Sequence, residues 1–228
     1  MDRQQIQYRH EWKHEISYID LLAIRSRLGA VALPDPHAAD GKYMIRSIYF
    51  DNLRDKALRE KVDGVNRREK FRIRFYNMDT SFISLEKKSK INGLGTKYSA
   101  RLTLEEAQKI AEGDLDWMIG SGRPLVEELY CKMAFQGLRP RTIVDYTREP
   151  YVYAPGNVRV TFDYDIRTGL MNTGFLDPEI VTVPAGDAGI ILEVKWDNFL
   201  PSIIKDCVQT PGRRVTAFSK YAQCRIYD

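Results

Sequence analysis

Three stretches of the sequence set a carboxylate and a lysine two residues apart: Glu11 with Lys13, Glu86 with Lys88, and Glu193 with Lys195. In a β-strand, residues two apart share a face, so each pair would present an acid beside a base. Arginines repeat with the same period. Arg68, Lys70, Arg72, Arg74 and Tyr76 fall in one phase of RREKFRIRFY, and Phe71, Ile73 and Phe75 fall in the other. Charge on a strand ordinarily just faces water, but here the pattern recurs along the chain. Glu193 and Lys195 lie within the strongly apolar GIILEVKW, where burial makes an unpaired charge costly. Arginine forks donate bidentately to phosphate oxygens, and lysine acts as a point charge. Interspersed glutamates suit a divalent cation that also bridges phosphates. The combination points to chemistry on a chain of phosphates.

Other chemistries find less support. There is no GxxxxGK[ST] loop, and Gly93-Leu94-Gly95 is too weak for a nucleotide fingerprint. His10, His14 and His37 show no HExxH spacing. His10 and His14 share a strand phase, and a structural role suits them better than metal binding. Cys131 and Ser219 sit in no nucleophile motif. Cys131, Cys207 and Cys224 are odd in number and are not spaced as metal ligands, which suits a reducing compartment. RNA binding is disfavoured because Phe71, Phe75 and Phe82 are assigned to faces opposite the cations, the wrong side for a stacking platform.

The elements must hold these residues in phase. The hairpin Arg68–Lys88 turns at Asn77-Met78-Asp79-Thr80, and its second strand carries Phe82, Ser84, Glu86 and Lys88 against Ile83, Leu85 and Lys87. Further strands are predicted at Tyr8–Glu15, at Lys42–Phe50 with Ser47, Tyr49 and Asp51 in phase, and at Thr96–Leu102 with Lys97, Ser99 and Arg101 in phase. Arg141–Tyr153 groups Thr142, Val144, Tyr146 and Arg148, Asn157–Ile166 groups Arg159, Thr161, Asp163 and Asp165, and Ile190–Trp196 closes the set. Helices are predicted over Ser17–Leu28, Asn52–Val62, Pro124–Gln136, Pro201–Val208 and Ala217–Arg225. A capping box at Thr103-Leu104-Glu105-Glu106 opens another helix, to about Ile119. Pro34-Asp35-Pro36, the glycine turn at 91–95 and Gly169–Gly189 read as irregular. About eight strands without a parallel βαβ rhythm give α+β with an antiparallel sheet. If the sheet closed, the charged phases would line the interior of a ligand-sized barrel.

The chain has 228 residues, 43% hydrophobic and 29% charged, with a net charge of +4. That balance fits one domain and excludes a strongly basic nucleic-acid binder. The polar start MDRQQIQYRHEWKHE has no signal-peptide core, and no apolar run would cross a bilayer. The expectation is a cytoplasmic protein with no direct membrane insertion and no nucleic-acid partner.

Taken in order, Arg9-x-Glu11-x-Lys13, Ser47-x-Tyr49-Phe50-Asp51-Asn52, Arg72-x-Arg74-x-Tyr76, Glu86-x-Lys88, Val144-x-Tyr146-x-Arg148, Val158-Arg159-x-Thr161-x-Asp163, Leu192-Glu193-Val194-Lys195 and Ser219-Lys220-Tyr221 resemble the VTC domain. This is the polyphosphate polymerase domain of the triphosphate tunnel metalloenzyme superfamily. The resemblance covers nearly the whole chain, 1–228, as one domain. It implies α+β architecture with an eight-stranded antiparallel closed β-barrel, a triphosphate tunnel, and helices packed outside. It implies ATP and polyphosphate as substrates and Mn²⁺ or Mg²⁺ as cofactor. Carried over, Lys13, Arg72, Arg74, Lys88, Arg148, Arg159 and Lys220 would act on the phosphates. Lys97, Lys195, Tyr49 and Tyr146 would bind phosphate or nucleotide. Glu193 would hold metal, with Glu11 and Glu86 as further metal candidates.

The first strand, Glu11-Trp12-Lys13-His14-Glu15, departs from the ExExK signature of the related adenylyl cyclase and thiamine triphosphatase branch, which argues against those activities. The chain also shows neither the sensor domain nor the membrane helices of the eukaryotic complex, so a membrane-anchored partner protein is a possible associate. A metal-dependent triphosphatase or polyphosphatase, with water as acceptor, is the alternative activity, and a non-catalytic polyphosphate sensor is the other.

Overall fold

The computed structural model describes residues 9–227 apart from 39, 93, 188 and 211–215. Tyr8 and Gly93, assigned above to a strand and a turn, lie outside the described residues. Strands β1 (His10–Ile16), β2 (Leu33–Pro34), β3 (Tyr43–Asp51), β4 (Arg68–Tyr76), β5 (Asp79–Ile91), β6 (Leu94–Leu102), β7 (Arg139–Tyr153), β8 (Val158–Thr168), β9 (Val183–Pro184) and β10 (Ile190–Trp196) alternate unevenly with helices. The α-helices are α1 (Tyr18–Gly29), α2 (Lys56–Val62), α3 (Leu104–Glu112), α4 (Pro124–Gln136), α5 (Ser202–Cys207) and α6 (Lys220–Cys224). The hydrogen-bonded strand order is β1-β10-β8-β7-β3-β4-β5-β6, with β2 on β7 and β9 on β8. This is the α+β, antiparallel architecture expected, with eight principal strands and two short additional ones.

The chain divides into two compact units. The first comprises Met1–Met44, Tyr146–Ile166 and Gly186–Ser219, and the second comprises Ile45–Asp145, Arg167–Ala185 and Lys220–Asp228. In the first unit, Trp12 and Ile16 of β1, Val158, Val160 and Phe162 of β8, and Leu192, Val194 and Trp196 of β10 pack with Leu21, Ile24 and Leu28 of α1. The core residues of β1, β8 and β10 are even-numbered, so the odd-numbered residues of those strands, Glu11, Lys13, Arg159, Thr161, Asp163, Glu193 and Lys195, share the opposite face. Helix α1 starts at a capping box in which Ser17 and Asp20 bond each other's backbone amides.

In the second unit Ile48 and Phe50, Phe71, Ile73 and Phe75, and Ile83 and Leu85 form the core with Ile110, Val126, Leu129 and Met133. Each such side chain contributes about 1.5–3 kcal/mol on full burial. The intervening residues Ser47, Tyr49, Arg72, Arg74, Ser84 and Glu86 take the other face. Tyr76 pairs with Asp79 across Asn77 and Met78, whose φ angles are +50° and +57°. Two positive φ angles make a type I′ turn, whose twist matches that of the strands it joins.

Several boundaries differ from the sequence-based expectation. The helix opened by Thr103 stops at Glu112, because Gly113 takes a left-handed φ of +84° and caps it. A separate 3-10 turn then covers Asp116–Met118. Helix α2 starts at Lys56 rather than Asn52, because the Asn52 side chain accepts the amides of Arg54 and Lys56 and holds the preceding turn. Strand β5 runs on to Ile91, α6 is limited to Lys220–Cys224, and Pro34 joins the short strand β2 against Tyr151.

Candidate phosphate and metal sites

In the first unit, cross-strand register builds rows of chemistry. Lys13, Glu193 and Thr161 are partners across β1, β10 and β8, and Glu11, Lys195 and Arg159 form the adjacent row. The Lys13 ammonium lies 3.2 Å from Glu11 and 3.3 Å from Glu193. Lys195 donates to Glu193 and lies 3.4 Å from Glu11. Two carboxylates and two ammonium groups thus alternate in a tight quartet. Burial alone would lower the Lys13 pKa, but Glu193 and then Glu11 hold it well above the ordinary lysine value.

Arg148 extends the cluster, with Nη2 at 4.0 Å from Glu193. Its fork is gripped by the fully buried Asp163 at 2.6 and 2.7 Å, and it lies over the Tyr146 ring at 5.5 Å. Arg159 donates from Nη2 to both Asp35 and the Tyr43 hydroxyl at 2.7 Å. Four cations therefore meet four carboxylates, and the face is close to charge-balanced.

The second unit has a different balance. Glu86 is 1% exposed. The Arg72 guanidinium contacts it at 2.7 and 2.5 Å, Lys97 at 2.7 Å, and Arg74 at 3.9 Å. Burial alone would raise the Glu86 pKa, but Arg72, with Arg74 and Lys97, holds it well below the usual carboxylate range. Register puts Lys70, Lys88 and Lys97 in one row across β4, β5 and β6. Lys97 is paired with Glu86 at 2.7 Å, and Lys70 lies over the Tyr49 ring at 5.4 Å. Arg72 also donates to the Tyr49 hydroxyl at 2.7 Å. Tyr49 stacks on Tyr221 of α6 at 5.1 Å, one residue beyond Lys220. The Tyr221 hydroxyl donates to Asp51 at 2.7 Å and accepts from Arg225 at 3.0 Å.

The sequence-derived residues thus gather in two sets. Glu11, Lys13, Tyr146, Arg148, Arg159, Glu193 and Lys195 belong to the first unit, and Tyr49, Arg72, Arg74, Glu86, Lys88, Lys97 and Lys220 to the second. Sequence reasoning gave no role to Asp163, Asp35, Tyr43, Asp51 or Tyr221. Asp163 was detectable from its phase with Arg159, whereas Asp35 lies in a Pro-flanked loop with no periodic signal. Phe82 corrects an expectation. Arg101 lies over its ring at 5.3 Å, and alternation along β5 puts Phe82 in phase with Ser84 and Glu86, on the cation side. Phe71 and Phe75 are core residues as expected.

Among the described residues, no three His, Cys, Asp or Glu side chains gather as a metal cluster. Of the first unit's carboxylates, Glu11 and Glu193 share the same two lysines. Mg²⁺-type ions use one or two carboxylates together with substrate phosphates rather than an all-protein cage. The pair therefore fits a divalent ion that arrives with a phosphate ligand. Glu86, the other acidic candidate, contacts Arg72, Lys97 and Arg74 and so serves as their counter-ion here.

A family model for the VTC domain matches residues 8–226. The chain belongs to the VTC domain family. No curated protein matches the sequence. Among solved structures, a protein from Hippeastrum described as a candidate adenylyl cyclase with a dominant triphosphatase activity aligns with a TM-score of 0.51 and 15% identity, over 95% of this chain and 94% of its own. It shares the fold. A candidate adenylate cyclase from Bacillus halodurans aligns with a TM-score of 0.48 and 11% identity, over 89% of this chain and 85% of its own. No described helix is long and apolar enough to cross a membrane.

Proposed function

We propose that this protein is a metal-dependent polyphosphate polymerase. It transfers the γ-phosphate of ATP to the end of a polyphosphate chain and releases ADP, with the whole chain acting as one domain around the closed tunnel that the family resemblance implies. The observation that carries this reading is the cluster of cations around Glu86: Arg72, Arg74 and Lys97 contact a single buried carboxylate, with Lys88 and Lys70 in the neighbouring row. A face built this way suits a polyanion with several phosphates better than a lone phosphate.

In this reading Arg72, Arg74, Lys88, Lys97 and Lys220 hold phosphate oxygens, with Tyr49 setting the Arg72 fork. Lys13, Lys195, Arg148 and Arg159 turn from their carboxylates to phosphate as substrate enters, and Tyr146 supports Arg148. That exchange leaves Glu193, with Glu11 beside it, to hold Mn²⁺ or Mg²⁺. The ion would supply charge neutralisation between phosphate oxygens. The attacking oxygen is already an anionic phosphate, so no strong general base is needed. The protein aligns the reactants and neutralises the transferring phosphoryl group. A cytoplasmic setting, where ATP is abundant, and a membrane-anchored partner belong to the same proposal.

One observation favours a second reading, a triphosphatase with water as acceptor: the fold is shared with the Hippeastrum protein described by that activity. Incubation with ATP and Mn²⁺, a gel resolving polyphosphate, and parallel assays of ADP and free phosphate separate the two. A ladder with ADP is the expected result. Free phosphate without a ladder selects the triphosphatase. Neither product overturns the catalytic reading.

A further inference from the structure

Two donor atoms on the site face of β8 are buried without a hydrogen-bond partner among the described residues: the Thr161 hydroxyl Oγ1 and the Arg159 Nε. The residues are two apart on one strand face, about 6.6 Å along it. Thr161 is 2% exposed and pairs in register with Glu193, itself in register with Lys13. Arg159 is pinned at its Nη2 by Asp35 and Tyr43, which leaves its Nε unengaged.

Buried polar groups are almost always bonded, and an orphaned one costs stability. A guanidinium nitrogen can only donate, whereas a hydroxyl can donate or accept. The acceptor that satisfies both is an oxygen. Lys13, Lys195 and Arg148 are balanced on this face by Glu11, Glu193 and Asp163, so it is the Arg159 guanidinium itself that favours an anionic one.

We infer that Thr161 is a substrate-binding residue: its hydroxyl donates to a phosphate oxygen in a subsite shared with Arg159 Nε. The inference rests on the proposal that the substrate is a phosphate chain. A hydroxyl kept for the fold would have a protein partner, and a hydroxyl of no consequence would be replaceable by a methyl group with a gain in stability.

The test is calorimetric titration of the full chain with inorganic tripolyphosphate, alongside thermal unfolding of the ligand-free protein, for wild type, Thr161→Val and Thr161→Ser. Thr161→Val is expected to unfold at the same or a higher temperature and to bind tripolyphosphate about tenfold more weakly, the loss of one hydrogen bond to a charged group. Thr161→Ser, which keeps the hydroxyl, should stay within about twofold of wild type. Wild-type affinity in Thr161→Val, or a drop of several degrees in its ligand-free midpoint, overturns the inference while leaving the functional reading intact. A wild-type protein that does not bind tripolyphosphate overturns that reading and the inference with it.

Discussion

Glu86 is the residue on which the second unit's cations depend. Arg72 and Arg74 are buried beside it, so neutralising it removes the carboxylate they face. Removing one partner of such a group costs about 3 kcal/mol, and we expect Glu86→Gln to lower stability by that order in urea unfolding. Tripolyphosphate should restore more stability to the variant than to wild type, because the anion replaces the missing charge. An equal gain in both would remove Glu86 from this role. The pH dependence has a definite sign. Arg72, Arg74 and Lys97 depress the folded-state pKa of Glu86, so its contribution is fully present above the ordinary glutamate value of about 4.3 and fades as pH falls below it. The gap between wild-type and Glu86→Gln melting temperatures should therefore narrow from pH 5 towards pH 3. For catalysis, Arg72→Ala should reduce kcat by on the order of 10²-fold, the cost of losing preorganised charge stabilisation. Full activity in this variant would remove Arg72 from the site.

At the scale of elements, Asp51 joins three of them. It ends β3, its carboxylate accepts the Ala57 and Leu58 amides at 2.9 and 3.1 Å at the start of α2, and it accepts the Tyr221 hydroxyl of α6. Asp51→Ala strands the buried tyrosine hydroxyl and the helix amides together, and should cost about 3 kcal/mol. A loss under 0.5 kcal/mol in chemical denaturation would show that water replaces it. This junction illustrates what the sequence made legible. Period-two alternation placed Arg72 and Arg74 opposite Phe71 and Ile73, and Glu193 opposite Leu192, because a strand forces that alternation wherever one face is buried. Lys97, in phase with Ser99 and Arg101, reaches Glu86 at 2.7 Å. Contacts set by loops and by packing between elements carried no such period. Asp35 reaches Arg159 from a loop, and Tyr221 reaches Tyr49 from a short helix far along the chain. The ends of α2 and α3 were missed for a local reason. They depend on the Asn52 side chain and on the left-handed backbone of Gly113, which compete with the helical pattern rather than extend it.

For the whole molecule, the balance of charge decides how metal, ligand and stability are linked. The two acidic candidates in the first unit, Glu11 and Glu193, are already neutralised by Lys13 and Lys195. Folding therefore does not require a divalent ion, unlike a structural site whose ligands repel one another until metal arrives. Chelation by EDTA should leave the melting temperature of the ligand-free protein within about 1 °C, well below the shift that a 1 kcal/mol change gives. Turnover of ATP should cease under the same conditions. Ligands that bind only the folded state raise its stability by mass action, so tripolyphosphate should raise the melting temperature without metal, and Mn²⁺ added with it should raise the temperature further. Glu193→Gln separates the two contributions, because it removes a carboxylate that would hold the ion while leaving the Arg72 and Arg74 face unchanged. The variant should keep the rise from tripolyphosphate and lose the increment from Mn²⁺. An unchanged Mn²⁺ increment would place the ion elsewhere. A large fall in melting temperature with EDTA alone would mean that the lysine pairs do not neutralise the acids, and that metal is part of the fold.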